Sequence, residues 1–425
     1  MPASPLSLLA YRYATVALTP LIPLALHRRA RRGKEDASRL RERLGHASRP
    51  RPQGQLVWIH GASVGECLAV LPLIGELLKV PDRQVLVTSG TVTSAKLMAE
   101  RLPANTLHQY APVDTPSAIG RFLDYWRPDA GLFVDSEIWP NIVSGAHARG
   151  IPVALVNGRM SARSFAGWRR LRRMAAALLG NYDLCLAQDA ATAARLTALG
   201  AAQVTVAGNL KADAPPLPAD PQKLQDLRQS IGARPVLLAV STHPGEDEIV
   251  LAARDELLHT YPDILTIIAP RHPERGGDIA ALCGTRPPLR RSAGRLPTAE
   301  TAVFVADTLG ELGLFYRIAS FAFIGGSLVR HGGQNPLEAA RLHCAVLAGP
   351  HTENFTPAYD AIFAYQRAGR VFSSSDLAAL AIRLIEAPAD PRAMGAAAAK
   401  AAESLGGAVE RTRLAIEALL ADACA

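Results

Sequence analysis

Two hydrophobic rhythms alternate along this chain. Short, nearly continuous apolar runs occupy positions 55–60, 84–89, 107–110, 130–134, 152–157, 184–187 and 204–207. They have the length and β-branched content of strands buried on both faces. Between them apolar residues return every three or four positions, the spacing of helices packed by one side. Strands that alternate with helices imply right-handed βαβ crossovers and a parallel sheet with helices on both faces. The stretch 211–221 interrupts the rhythm with four prolines in eleven residues, which fits a semi-rigid linker. A second series follows, with strands at 236–241, 265–269, 302–305, 321–324 and 345–348 and Ala-rich helices at 393–423. The pattern predicts an α/β protein with Rossmann-like domains at 51–212 and 213–425. A length of 425 residues suits two cores better than one.

The first fifty residues break both rhythms. Positions 6–26 are apolar apart from Ser7, Arg12 and the threonines, and are punctuated by Pro20 and Pro23. Positions 28–51 then carry ten basic residues against three acids, supplying +7 of the net +8. A signal peptide has the reverse order, charge before apolar run. Residues 1–50 therefore read as an uncleaved membrane anchor, spanning or lying in the interface, with an Arg-rich cytoplasmic side drawn to anionic headgroups. Outside this segment the chain is close to neutral, which argues against a nucleic-acid partner. The five cysteines lie far apart, so neither a disulfide framework nor a structural zinc site is expected, and free thiols suit a reducing compartment. Neither half holds a Gly-x-Gly-x-x-Gly fingerprint or a Walker A loop.

Candidate chemistry collects where predicted strands end. Gln55-Leu-Val-Trp-Ile-His-Gly-Ala-Ser-Val-Gly-Glu66 reads as a buried strand, a tight turn and a helix start, at the carboxyl edge where open α/β sheets place ligands. Ser63-Val-Gly-Glu66 fits a capping box, in which serine and glutamate satisfy each other's amides. A carboxylate at the mouth of a sheet crevice also has the placement of a general base. Asp135-Ser-Glu137 follows another strand, where helix starts attract acids in any case. Arg159 and Arg163 carry planar forks suited to a phosphorylated ligand.

The string His60-Gly-Ala-Ser-Val-Gly-Glu66 resembles the signature of the 3-deoxy-D-manno-octulosonic acid (Kdo) transferases, which attach that sugar to the lipid A precursor. Asp135 to Asn141, Asn157 to Ser164, Gly208-Asn-Leu-Lys211, Gly325 to Glu338 and Gly349 to Phe355 are similar to further family strings in the same order. The resemblance implies a GT-B fold, two Rossmann-like domains facing across a cleft, with the last helix crossing back onto the first. It implies an inverting glycosyltransferase at the inner membrane, using CMP-Kdo as donor, the lipid A precursor (lipid IVA) as acceptor, and no metal or cofactor. By resemblance Glu66 is the proton acceptor and Glu137 and Lys211 stabilise the transition state. Pro270, Arg271, Leu309, Gly310, Glu311, Asn335, Pro336, Leu337 and Glu338 would then bind the cytidine monophosphate. The Gly-rich turn is expected to offer backbone amides to the phosphate. The chain departs from the family at Asp135, Arg330, Gln334 and Ala339. Another nucleotide-sugar enzyme on the same fold, a hexosyltransferase or a UDP-sugar epimerase, is the alternative.

Overall fold

A computed structural model describes residues 5–284 and 287–422, and the chain divides into two compact units. The first unit runs to Ala214 and takes back the chain from Gly406, while the second spans Pro215–Leu405.

The first unit is built on β1 (Gln55–His60), β2 (Arg83–Ser89), β3 (Thr106–Tyr110), β4 (Ala130–Val134), β5 (Val153–Gly158), β6 (Leu184–Ala187) and β7 (Val204–Val206). All pair in parallel in the order β3-β2-β1-β4-β5-β6-β7. Leu56 and Trp58 of β1 enter one apolar cluster with Phe122, Phe133 and Tyr182. Val57 and Ile59 enter another with Val70, Ile74 and Leu132. This double burial explains why the strand lacks polar alternation. The order reverses between β1 and β4, so the carboxyl ends of these two strands flank the topological switch point, where such sheets bind ligands. The returning helix Ala408–Asp422 packs Ala408, Ile416 and Leu420 into the second cluster. Arg83 fastens it through both oxygens of Glu417, at 2.5 and 2.8 Å.

The second unit holds β8 (Val236–Thr242), β9 (Leu265–Pro270), β10 (Leu289–Arg290), β11 (Val303–Val305), β12 (Phe321–Ile324) and β13 (Ala345–Ala348), in the order β10-β11-β9-β8-β12-β13. Its switch point lies between β8 and β12. Twelve of the thirteen strands fall within one residue of the sequence expectation. The exception is β10, two residues on the sheet margin, too short to carry any periodicity.

The N-terminal segment forms helix Leu6–Leu18, a single tighter turn at Thr19–Leu21 and helix Ile22–Ala30. Pro20 and Pro23 sit in the first turns of their elements, where the missing N–H has no helical partner anyway. Leu6–Ala30 is long and apolar enough, by length and composition, to cross a membrane. Leu6, Tyr13, Val16, Leu18, Leu21 and Leu24 are exposed. The inner side is polar: Tyr11 donates to Asp114 Oδ2 (2.9 Å), and Thr15 Oγ1 accepts from Asn141 Nδ2 (3.0 Å).

The basic segment spends part of its charge internally. Glu35 and Glu42 are buried within it, Glu35 paired with Arg29 and Arg43, and Glu42 held by Arg39 and by the Tyr110 amide. Arg51 is spent on the carbonyls of Trp126, Pro52 and Arg127. Arg28, Arg31, Arg32, Lys34, Arg41 and Arg49 remain exposed. Cys67, Cys185, Cys283 and Cys344 are free thiols, while Cys424 and position 423 lie outside the described residues.

Candidate active site

At the end of β1 the chain turns through Gly61, where a Cβ would meet the Glu66 Cβ at 3.3 Å and the Cys67 amide at 3.4 Å. This close passage brings the helix start, capped by Ser63, against the strand end. The capping box takes a displaced form. Ser63 Oγ accepts from the Glu66 amide (3.3 Å) and donates to Glu66 Oε1 (2.7 Å). Glu66 Oε2 takes the amide of Ala62 at 2.7 Å, one residue before the cap. Burial pushes the Glu66 carboxyl up; the Ser63 hydroxyl and Ala62 amide oppose this, and the charges of Glu137 and Asp135 add to it.

β4 ends beside it. Asp135 adopts the left-handed conformation (φ 59°), which Asp tolerates better than longer side chains. Asn157, also left-handed (φ 54°), donates to Asp135 Oδ1 at 2.5 Å, and Gln188 bridges the same oxygen and the Asn157 carbonyl. Strained backbone at two adjacent strand ends is the kind that surrounding structure maintains at functional sites. Glu137 faces inward: its Oε2 lies 3.3 Å from His60 Nε2 and accepts from Trp139 Nε1, while Tyr182 donates to its carbonyl (3.0 Å). Burial works to raise its carboxyl, but the His60 and Trp139 donors win and hold it below the ordinary value. Adjacent carboxyls are thus driven apart, Glu66 upward and Glu137 downward. Such divergence separates a proton-accepting role from a charge-holding one.

Lys211 joins the group. Asn209 accepts from the Lys211 amide (3.0 Å), and Asn157 Oδ1 accepts from the Leu210 amide (2.9 Å), fixing this turn over the helix that starts at Val64. Lys211 Nζ would lie 3.9 Å from a Cβ at Gly65, and its charge stabilises the Asp135 carboxylate. The first unit therefore brings Glu66, Glu137 and Lys211 together.

The second unit sets its candidates at three strand ends. Leu309, Gly310 and Glu311 follow β11, Pro270 ends β9, and Asn335, Pro336, Leu337 and Glu338 follow β12. Arg271 is exposed, within electrostatic reach of both Glu338 and His243. Leu309 is 81% exposed, and Gly310 turns with φ 81°. Glu311 is already engaged, by Arg291 at 2.8 Å to each oxygen, by Thr308 and by Lys223. Arg291 above all, against burial and aided by Thr308 and Lys223, draws its carboxyl down to about 2. Burial raises the Glu338 carboxyl, against its Asn335 hydrogen bond and the charges of Arg341 and Arg271. After β8, His243 lies tilted against His331 with ring centroids 3.8 Å apart and meets Gln334 Nε2 at 2.9 Å.

One expectation is overturned here. The amides of Gly326, Ser327 and Leu328 are taken by the carboxylate of Glu246, at 2.6, 3.0 and 2.9 Å, together with the amide of His243 at 3.0 Å. Glu246 is fully buried, so the Gly-rich turn is clamped by an internal anion and these amides are not offered to a phosphate. The helix after it, Leu337–Ala340, has only four residues, and Asn335 Oδ1 already takes the Leu337 amide.

Sequence reasoning gave no separate role to Glu246, His60 or Asp114. An acid in a helix's first turn reads as a dipole complement, and only the fold shows what else it binds. Among the described residues no group of three or more His, Cys, Asp or Glu could hold a metal ion.

Residues 38–214 match the family model described as 3-deoxy-D-manno-octulosonic-acid transferase (kdotransferase). A 3-deoxy-D-manno-octulosonic acid transferase from Haemophilus influenzae is 36% identical over 80% of this chain and 81% of its own length. One from Bordetella pertussis is 36% identical over 96% of this chain and 98% of its own. Among solved structures, a glycosyltransferase from Rickettsia africae superposes with a TM-score of 0.60 at 12% identity, covering 87% of this chain and 99% of that one, a likeness of fold alone. On the relatives' identity and coverage, with strings at both sheet edges that fit, the chain belongs to the 3-deoxy-D-manno-octulosonic acid transferase family and is a glycosyltransferase.

Proposed function

We propose that this protein moves Kdo from CMP-Kdo to a hydroxyl of the lipid A precursor, with inversion, at the cytoplasmic face of the inner membrane. The observation that carries the reading is the divergent carboxyl pair at the β1/β4 switch point, Glu66 raised and Glu137 lowered. Glu66 takes the proton as the acceptor oxygen attacks the anomeric carbon. The bond from that carbon to the phosphate oxygen breaks, and cytidine monophosphate leaves with the electron pair. A positioned base of this kind contributes roughly 10² to 10⁴ in rate. Glu137 stays negative against the positive charge that builds on the sugar ring, and Lys211 opposes the charge on the departing phosphate.

The donor role falls to the second domain. Arg271 presents an unencumbered planar fork suited to two phosphate oxygens, and Glu338 accepts from ribose hydroxyls. Pro270, Leu309, Gly310, Glu311, Asn335, Pro336 and Leu337 shape the nucleotide site around them, with Glu311 held in place by Arg291. The acceptor role falls to the first domain, where exposed Arg159 and Arg163 suit the phosphates of an anionic lipid. The exposed apolar stripe on helices Leu6–Leu18 and Ile22–Ala30, followed by exposed arginines, supports an anchor on an anionic leaflet.

The test is transfer from CMP-Kdo to a tetra-acylated lipid A precursor with EDTA present, comparing wild type with Glu66→Gln. Gln retains an acceptor for the Ala62 amide and cannot take the proton. The expected result is a folded, inactive variant; a fully active one removes Glu66 as base. Because Glu66 must be ionised and its carboxyl is raised, activity is present above that titration and lost as pH falls through it. The loss comes at a higher pH than for an ordinary Glu, about 4.3. A panel of UDP-sugars in place of CMP-Kdo tests the donor.

A further inference from the structure

His60 is buried at the last position of β1, and its ring contacts run in one direction. Trp58 Nε1 donates to Thr88 Oγ1 at 2.9 Å, and the same oxygen lies 3.0 Å from His60 Nδ1. Thr88 is fully buried, and its hydroxyl proton needs an acceptor; the acceptor available is His60 Nδ1. Nδ1 is then the accepting nitrogen, the ring proton sits on Nε2, and Nε2 lies 3.3 Å from Glu137 Oε2. Phe133 packs edge-on against the ring at 5.9 Å and Trp58 tilts against it at 6.5 Å, so the imidazole cannot swing away.

We propose that His60 is a positioning residue, whose Nε2–H aims the Glu137 carboxylate and keeps it ionised, so that the proton shared by this carboxyl pair goes to Glu66. The inference rests on the reading of Glu66 as base. Around the pair, Tyr182 donates to the Glu137 carbonyl and lies within electrostatic reach of its carboxylate, and Cys67 lies within electrostatic reach of Glu66. Glu137 meets His60 from β1, Trp139 from its own loop, and the charges of Glu66 and Asp135. Glu66 meets Ser63, the Ala62 amide, Glu137 and Asp135, with Lys211 Nζ over Gly65. His60 also lies within electrostatic reach of Asp114. Without the imidazole donor, Glu137 holds protons more tightly. The doubly ionised, active form of the pair is then depleted at higher pH.

The test uses shape. Gln carries an N–H near the place of Nε2, whereas Asn carries one near the place of Nδ1 and falls short of Glu137. His60→Asn is expected to move the acid limb of kcat/KM upward by at least half a pH unit, and to lower the plateau kcat about tenfold. His60→Gln is expected to keep the limb near wild type. Thr88→Val, which removes the hydroxyl that fixes the tautomer, is expected to move the limb in the same direction by less, and Thr88→Ser not at all. A folded His60→Asn with a wild-type limb and plateau overturns the proposal. If His60→Asn does not fold, an unmoved limb in Thr88→Val overturns it instead. Glu66→Gln keeps the two readings apart: if it is inactive while the His60 variants behave as wild type, the base stands and the positioning role falls.

Discussion

The two sheet edges handle negative charge in opposite ways. At the first, Glu66, Asp135 and Glu137 crowd together, and burial raises two of the three carboxyls while His60 and Trp139 hold the third down. At the second, Glu338 is raised by burial, but four other acids near strand ends are each held by several partners. Glu246 receives four amides, Asp247 takes Arg275 and the Thr242 hydroxyl, Asp307 takes Arg290 and Ser292, and Glu311 takes Arg291. Unbalanced charge shifts the proton affinity of a carboxyl, whereas balanced charge makes a rigid frame. In the proposed reaction the first edge is the one that changes protonation state. The second keeps one shape and leaves Arg271 exposed, where the proposed function needs a contact to an anion.

Breaking that contrast gives effects of different size and kind. Glu66→Gln should lower kcat by about 10² to 10⁴ with little change in the thermal midpoint, measured on the transfer reaction and by calorimetry. Glu246→Ala should do the reverse. It strands four amides, three of them buried, costs roughly 3 to 5 kcal/mol of stability and unfolds the second unit at lower denaturant, with Glu246→Gln in between. A catalytic loss in Glu246→Ala without loss of stability would sink the idea of a frame. Arg271→Ala should raise KM for the donor by about 10- to 100-fold, the worth of a charge-assisted phosphate contact, with Arg271→Lys recovering part of it. Unchanged donor KM would mean that the nucleotide is held elsewhere. The smallest effect is expected from Tyr11→Phe, which removes one hydrogen bond to Asp114 and should cost about 1 kcal/mol in chemical unfolding.

What the sequence made legible followed from local pattern. β1, β4 and β12 are each one uninterrupted apolar run, so their ends, and the acids just beyond them, could be placed at a sheet edge. What it hid depends on partners far along the chain. Glu246 precedes its amides at 326–328 by about eighty positions, and nothing in either stretch names the other. Arg39, Arg43 and Arg51 look like surface charge until Glu35, Glu42 and a helix end are brought beneath them. Glu66 stood between cap and base by spacing. The fold shows the cap, in a displaced form, and burial and Glu137 raise the proton affinity of the same carboxylate, which the proposed reaction uses as its base.

The N-terminal helix is keyed to the body of the first unit. Tyr11 and Thr15 lie one turn apart and engage Asp114 and Asn141, and Asp114 also takes the amides of Asn141 and Ile142, which open the helix after the Glu137 loop. The oily stripe on the far side is therefore mounted at a fixed rotation, as a keel is fixed to a hull. One residue inserted between Thr15 and Leu18 would turn the downstream part of that stripe by about 100° without altering its composition. Sequence length between clasp and stripe is thus a mechanical dimension of this molecule, and under the proposed anchoring it sets how the molecule lists at a lipid surface.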